Sequence, residues 1–306
     1  MKPILVTGGA GQLATAMARE GGDAVTRVGR PGFDFERPET IAAAFAAARP
    51  ALVVNAAAWT AVDAAETDRD AALRANRDGP AALAALCAAA GVPLIHISTD
   101  YVFDGRKGEP YAETDATGPT GVYGATKLAG EQAVIAACPR AIVLRTSWVY
   151  SATGKNFVRT MLAAAQTRDR LRVVADQKGC PTAARDLAAC ILGIASRLRD
   201  GWQDSYAGVY HAAGSGWTTW HGLAGAMFEE AARHGHRVPV VEAIGTADYP
   251  TPAHRPADSR LDCGKLARVF GLRLPEWRGS LARTVDELLA PAATAPNAVA
   301  AAAARA

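Results

Sequence analysis

The chain has few cysteines, no long apolar run and no cluster of basic residues. Its five cysteines are scattered, odd in number and without metal-site spacing, so we expect free thiols, as in a reducing cytoplasm. The apolar start is too short for a signal peptide, and no segment approaches the length that crosses a bilayer. We therefore expect a cytoplasmic protein with no membrane partner.

The charge balance argues against nucleic acid as a partner. Lys and Arg number 33 against 30 Asp and Glu, which gives a formal net charge of only +3. Arginine far outnumbers lysine but forms no basic run, and the six histidines make no ligand constellation. The composition is instead typical of a globular enzyme with a small-molecule substrate.

A glycine turn follows the first apolar run. Residues 2–7 are of strand type, Gly8, Gly11 and Ala14 follow with two residues between each, and a helical pattern continues from Gln12. Small residues let the backbone approach a pyrophosphate, and the amino end of a helix offers free N–H groups. The pattern predicts a dinucleotide site, with a plain tight turn as the alternative.

Strand-like runs then alternate with alanine-rich helical stretches, which predicts a Rossmann-type, doubly wound parallel sheet of the α/β class. We predict strands at about 4–7, 24–29, 52–55, 94–98 and 141–146. We predict helices at about 12–20, 38–48, 69–90 and 123–137.

The rhythm breaks after Thr146, where glycine- and proline-containing turns become frequent. This predicts a smaller carboxy-terminal substrate-binding lobe over the carboxyl edge of the sheet, where open α/β sheets bind ligands. We place the dinucleotide-binding domain at 1–150, with part of 182–200 added, and the lobe mainly at 151–289. Residues 290–306 are alanine-rich and low in complexity, which predicts a disordered tail.

Tyr123 and Lys127 are one helical turn apart and therefore share a helix face. A free phenol has a pKa near 10 and gives up its proton poorly at neutral pH. A lysine cation on the same face stabilises the phenolate and lowers the phenol pKa, as a general acid requires. The alternative is a tyrosine that packs on a lysine stem.

Eight blocks of sequence together resemble the dTDP-4-dehydrorhamnose reductases, a family of extended short-chain dehydrogenase/reductases. They are TGGAGQL (7–13), NAAAWT (55–60), STDYVFDG (98–105), YGATKLAGE (123–131), RTSWVY (145–150), GKNF (154–157), DQKGCPT (176–182) and YPTPAHRP (249–256). The resemblance covers nearly the whole chain except the final tail.

The resemblance implies reduction of the ketone at carbon 4 of dTDP-4-dehydro-β-L-rhamnose, giving dTDP-β-L-rhamnose for cell-surface polysaccharide. It implies that Tyr123 donates the proton, that Lys127 stabilises the phenolate and holds the nicotinamide ribose, and that Thr99 hydrogen bonds the reacting oxygen or tunes the tyrosine. Thr99 could instead cap a turn.

The predicted cofactor-binding residues extend from the glycine turn to this pair. They are Gly8, Gly11, Gln12, Leu13, Arg30, Asp34, Phe35, Ala58, Trp59, Thr60, Ile97, Tyr123 and Lys127. The predicted substrate-binding residues are Thr99, Asp100, Tyr123, Trp148, Asn156 and Arg255. Core packing is the alternative for Trp148, and a surface position is the alternative for Arg255.

Cofactor choice depends on the residues after the second strand. NAD-selective folds place an acid about 20 residues beyond the glycine turn, where it binds the ribose 2′-hydroxyl. Here Arg30 stands near that position, and a guanidinium can pair with a 2′-phosphate. We predict that NADPH is preferred and NADH is also used, unless Arg30 only closes a turn.

One departure from the family concerns Mg²⁺. Some relatives bind it through acidic side chains at positions that fall on Ala16, Arg185 and Glu287 here, so only one carboxylate is kept. Hard cations need several oxygen ligands. We therefore expect no bound metal. Whether the chain forms a homodimer, as relatives with such a site do, is left open by the sequence.

Three other functions stay open at this stage. The chain could be another nucleotide-sugar reductase or epimerase on the same scaffold. It could be a non-catalytic regulatory subunit resembling the methionine adenosyltransferase β subunit, or a scaffolding protein, although intact Thr99, Tyr123 and Lys127 argue against both.

Overall fold

A parallel sheet of six strands forms the centre of the protein, which a computed structural model describes from residue 3 to residue 290. The strands of the whole described chain are β1 (Ile4–Val6), β2 (Val25–Arg27), β3 (Leu52–Asn55), β4 (Leu94–Thr99), β5 (Ala141–Thr146), β6 (Val149–Tyr150), β7 (Arg170–Val174), β8 (Lys178–Gly179), β9 (Thr182–Ala183), β10 (Gly208–His211), β11 (Thr218–Thr219) and β12 (Val240–Ile244). The order across the sheet is β2-β1-β3-β4-β5-β10, with every neighbouring pair parallel.

The predicted fold class is confirmed. The chain runs from β1 to β2 at one edge and then crosses to β3 on the other side of β1, so the strand order reverses there and opens a crevice at the carboxyl ends. Strands β3 and β5 are buried at every residue, as expected of strands covered on both faces. The sixth strand, β10, was not predicted, because its four residues follow some sixty residues of lobe sequence.

Helices cover both faces of this sheet. The helices of the described chain are α1 (Gln12–Gly21), α2 (Pro38–Ala48), α3 (Val62–Ala65), α4 (Arg69–Leu73), α5 (Gly79–Ala89), α6 (Val122–Ala137), α7 (Phe157–Ala165), α8 (Ala184–Arg199), α9 (Trp220–Arg233), α10 (Gly264–Phe270) and α11 (Trp277–Leu289). The predicted helix 69–90 is interrupted: a π turn, Arg74–Asp78, lies between α4 and α5.

Two apolar cores lie on opposite faces of the sheet, because successive strand residues point in opposite directions. Val6 packs with residues of α1, α8 and α10, whereas Leu5 packs with residues of α2, α5 and α6. In residues 3–290, no helix is both long and apolar enough to cross a membrane.

The lobe has a separate core. The parallel pair β7–β12 packs with α7, α9 and α11 around Leu171, Phe228 and Leu281. Two-stranded pairs β6–β9 and β8–β11 connect this lobe to the sheet. Because α8, β10 and α10 pack with the sheet, we propose that they join residues 1–150 in one unit and that the rest of 151–289 forms the lobe. The predicted disordered tail lies outside the described residues apart from Ala290.

Candidate active site

A cleft of about 890 Å³ opens at the carboxyl ends of the strands, between the sheet and the lobe. Sixteen of the predicted site residues line it: Gly8, Gly11, Gln12, Leu13, Arg30, Asp34, Phe35, Ala58, Trp59, Thr60, Ile97, Thr99, Asp100, Tyr123, Lys127 and Trp148. The fold therefore brings together residues that are up to 140 positions apart in the sequence. Asn156 and Arg255 do not line the cleft.

The glycine turn forms one end of the cleft. Gly8 has φ +101°, a conformation that favours glycine, and a Cβ there would lie 3.0 Å from the backbone of Ala56. Helix α1 begins immediately afterwards, at Gln12, so its free N–H groups lie at the cleft. This backbone arrangement fits the pyrophosphate of a dinucleotide.

Helix α6 carries Tyr123 as its second residue and Lys127 one turn later. Lys127 is buried, and its Nζ donates a 2.6 Å hydrogen bond to the carbonyl oxygen of Ile97 on β4. The phenol ring of Tyr123 makes an edge contact with Tyr101, with 5.6 Å between ring centroids.

Thr99 caps a turn, the alternative given for this residue, and its side chain also lies beside the phenol of Tyr123. Its Oγ1 accepts a 3.2 Å hydrogen bond from the Tyr101 N–H at the start of the 3₁₀ helix Asp100–Val102, and donates a 3.1 Å bond to Asp100 Oδ1. Its side chain also lies near enough to the Tyr123 phenol to lower the pKa of that group. These contacts hold the hydroxyl beside the phenol.

Burial sets the protonation states in the cleft. It raises the pKa of Tyr123 to about 12, opposed by the Thr99 side chain and reinforced by the charge of Asp100. It lowers the pKa of Lys127 to about 8, opposed by the charge of Glu131. The phenol pKa is therefore not brought towards neutrality in the chain alone, because desolvation of the phenolate outweighs any stabilisation by Lys127. Burial also raises the pKa of Asp100 to about 7.

Two stacked indoles form the wall of the cleft on the lobe side. Trp148 stacks on Trp220 of α9 with 3.6 Å between ring centroids and 8° between ring planes. The backbone of Trp148 is left-handed, with φ +47°, which is a strained conformation for a bulky residue. A Cβ at Gly179 would lie 2.4 Å from the Trp148 ring, so only glycine leaves room for the indole.

The two predicted residues outside the cleft are held by other parts of the protein. Arg255 pairs with Asp63 at 2.9 Å and also bonds Thr251. Asn156 caps α7 by accepting a 3.1 Å hydrogen bond from the Arg159 N–H, and its Nδ2 donates to Gln12 Oε1 at 3.0 Å. Both side chains are thus engaged within the protein.

Asn76, which the sequence analysis did not single out, lies behind the cleft and holds elements that line it. It is fully buried in the π turn, and its Oδ1 accepts a 2.9 Å hydrogen bond from the N–H of Trp59. Its Nδ2 donates to the Trp59 carbonyl at 3.2 Å and to Thr126 Oγ1 at 3.0 Å. It therefore joins residues 56–60, here called the cofactor-side loop, to α6. A lone asparagine within an alanine-rich helix was the available signal.

The residues at the family's Mg²⁺ positions do not fit a cation. The carboxylate of Glu287 is engaged by Arg19, and Arg185 pairs with Glu20 at 3.0 Å. Within residues 3–290 no three or more His, Cys, Asp or Glu side chains are grouped as metal ligands. Arg19 thus engages the one carboxylate that is kept, and Arg185 brings a positive charge where Mg²⁺ would need an acidic ligand.

Comparison with known proteins gives one consistent result. The family model described as the RmlD substrate binding domain matches residues 1–290. A dTDP-4-dehydrorhamnose reductase of Sinorhizobium fredii is 48% identical over 94% of this chain and 97% of that protein. One of Burkholderia thailandensis is 43% identical over 94% of this chain and 99% of that protein.

Solved structures agree with these relatives. A dTDP-4-dehydrorhamnose reductase of Clostridium acetobutylicum superposes with a TM-score of 0.86 at 35% identity, covering 94% of this chain and 99% of that one. The Bacillus anthracis enzyme, in complex with NADP, has the same TM-score and coverages at 31% identity.

Proposed function

The chain belongs to the dTDP-4-dehydrorhamnose reductase family, and on that premise we propose the role of each side chain in the cleft. The protein is an NADPH-dependent oxidoreductase that reduces dTDP-4-dehydro-β-L-rhamnose to dTDP-β-L-rhamnose, the last step of dTDP-rhamnose synthesis. The observation that carries the residue roles is the placement of Thr99, Tyr123 and Lys127 in one cleft with the glycine turn.

NADPH, when bound, supplies the hydride that reduces the sugar ketone. Gly8 and the amino end of α1 would hold its pyrophosphate, and Arg30, which lines the same cleft, its 2′-phosphate. Ala58, Trp59 and Thr60 would lie along its ribose and phosphate, and Asp34 and Phe35 at its adenine side.

Tyr123 is the proposed proton donor to the sugar oxygen. With a pKa raised to about 12 by burial, the phenol keeps its proton at neutral pH, and the far more basic alkoxide that forms on reduction can take it. Thr99 would hold the phenol and the sugar oxygen together through its hydroxyl. Lys127, still largely protonated at neutral pH, would stabilise the phenolate left behind.

For the substrate, we propose that Asp100 and Trp148 contact the sugar, with the indole lying against an apolar sugar face. Arg255 could reach a pyrophosphate only by giving up its pair with Asp63. Asn156 would affect substrate binding indirectly, because its side chain donates hydrogen bonds that order the segment between residues 151 and 154. We also propose that the protein works in the cytoplasm, which its free cysteines suit, and that it forms a homodimer.

The test is NADPH consumption with dTDP-4-dehydrorhamnose, followed by NMR of the product. Tyr123→Phe removes one oxygen, and because general acid catalysis contributes about 10²–10⁴-fold, kcat should fall by that factor while the NADPH Kd stays the same. Tyr206→Phe is the matched control, since that ring packs on Phe270 away from the cleft.

Three results would contradict the proposal. Retention of more than about half the activity by Tyr123→Phe would remove the tyrosine from its role. Turnover of a different nucleotide-sugar ketone instead would point to a changed substrate. Absence of NADPH oxidation by the intact chain would favour a regulatory subunit.

A further inference from the structure

The helix that carries Tyr123 begins without a cap from its own sequence. Its N-cap residue is Gly121, which has no side chain to accept from the free N–H groups of the first turn. A carboxylate from elsewhere takes that place: Glu66 Oε1 accepts a 2.8 Å hydrogen bond from the N–H of Val122, 56 residues later. Val122 directly precedes Tyr123.

The first turn of α6 is shaped around this carboxylate. A Cβ at Gly121 would lie 2.9 Å from Glu66 Oε1, so glycine leaves the room that the carboxylate occupies. On the other side, a Cβ at Gly124 would lie 2.1 Å from the carbonyl oxygen of Tyr101. Tyr123 lies between these two close contacts, which together fix the position and orientation of its backbone in the first turn of α6.

Glu66 reaches this place from the end of α3. That short helix follows Thr60 of the cofactor-side loop, and its Asp63 pairs with Arg255 and accepts a 3.2 Å hydrogen bond from the Ala253 N–H. Segment 60–66 therefore contacts the catalytic helix and the 249–256 loop of the lobe. Glu66 itself does not line the cleft.

We propose that Glu66 is a positioning residue for Tyr123, holding the first turn of α6 so that the phenol meets the sugar oxygen. The proposal rests on the proton-donor role of Tyr123 given above. A carboxylate suits the amino end of a helix because it accepts from a free N–H and carries the charge that the helix dipole favours there. Loss of the acceptor would let the first turn fray, and a displacement of about 1 Å at a reacting group can cost 10²-fold in rate.

Glu66→Ala should lower kcat by about 10- to 100-fold and leave the KM for NADPH nearly unchanged. Glu66→Gln, whose amide oxygen can accept the same hydrogen bond, should recover most of the loss. The matched control is Glu276→Ala: this carboxylate caps α11 by accepting from the Arg278 N–H at 2.7 Å, and α11 does not line the cleft. Its kcat should equal that of the wild type.

A double-mutant cycle separates this proposal from the role of Tyr123. If Glu66 acts through the phenol, Glu66→Ala should cost little more once Tyr123→Phe is present. Independent, multiplicative losses would overturn the proposal, as would equal losses in Glu66→Ala and Glu276→Ala or a Glu66→Ala enzyme with more than half the wild-type kcat. An active Tyr123→Phe enzyme would instead refute the proton-donor role, and with it this inference.

Discussion

At the level of a single residue, we propose that Arg30 sets the cofactor preference. It lines the cleft just beyond β2, where NAD-selective folds carry an acid. Arg30→Ala should raise the KM for NADPH by one to two orders of magnitude, roughly the 1.5–3 kcal/mol of a hydrogen bond to a charged group. The KM for NADH should barely change.

Initial rates with both cofactors check this prediction. Arg27→Ala is the control, because Arg27 bonds Thr15 and does not line the cleft. Equal effects of Arg30→Ala on the two cofactors would show that this guanidinium does not bind the phosphate.

Lys127 should set the alkaline limit of the reaction. Because burial lowers its pKa to about 8, the ammonium loses its proton as the pH rises through that value. The phenolate of Tyr123 then lacks its cation, so kcat should fall above about pH 8. Lys127→Met should give a low kcat without that inflection, and the same inflection in the variant would assign it to another group.

Sequence motifs located most cleft residues because each motif is short and its chemistry is local. Thr99, Tyr123 and Lys127 are of this kind. The pairing of Arg255 with Asp63 joins residues 192 positions apart, and no local pattern reports it. Likewise, the burial that raises the phenol pKa depends on the surrounding elements, so its size relative to the effect of Lys127 could not be judged from a local motif.

At the scale of elements, α6 is joined to the sheet by a buried ion pair. Arg145 of β5 donates to both carboxylate oxygens of Glu131, including a 2.7 Å contact from Nη2, and Ser98 of β4 donates to Glu131 Oε1 at 2.5 Å. Both charged side chains are at most 5% exposed. Strands β4 and β5 therefore stay aligned with α6, the helix that carries Tyr123.

Glu131→Gln should lower the free energy of unfolding by about 3–5 kcal/mol, because it leaves the buried Arg145 charge without its partner. Urea unfolding monitored by circular dichroism measures this. Glu242→Gln, which breaks an exposed pair with Arg170, should change stability by less than about 1 kcal/mol. Similar values for the two variants would mean that water reaches Arg145.

Helix positions were predictable from alanine content, whereas the irregular turn was not. Helices α2 and α6 begin and end within one residue of their predicted bounds. The π turn at 74–78 depends on Asn76 reaching Trp59 and Thr126, contacts that exist only after α6 has packed against it. A pattern of helix-forming residues alone continues smoothly through that point.

For the whole molecule, the alternation of strands and helices predicted five of the six strands of the central sheet. Strand β10 is as long as β3, but it pairs with β5 only after the chain has passed through the lobe. Its place is set by tertiary packing, with Tyr210 buried in the same core as Val6, rather than by its own pattern.

Acid should destabilise the whole fold through two buried histidines. Burial lowers the pKa of His96 well below its usual value and that of His211 to about 3. Below about pH 6.5 these histidines take up protons in the unfolded chain but stay neutral in the folded chain. The stability that the fold gains by keeping them neutral is therefore complete above that pH and is lost as the pH falls. At pH 5 the loss for His211 is about 2 kcal/mol.

Urea unfolding at pH 7 and pH 5 tests this dependence. His211→Gln should show a smaller difference between the two values than the wild type, since an amide does not titrate. His254→Gln, at an exposed position, should behave as the wild type does. An unchanged difference in His211→Gln would assign the acid sensitivity to other groups.

The stacked indoles of Trp148 and Trp220 give the cleft an optical signature. Two chromophores whose centroids are 3.6 Å apart and whose planes are nearly parallel couple their electronic transitions, so the pair should contribute a split band to the circular dichroism spectrum. Because both rings line the cleft, a sugar that slides against Trp148 would change that band and the tryptophan emission together. On the substrate contact proposed for Trp148, the protein would carry its own label for following substrate arrival in real time, without any dye.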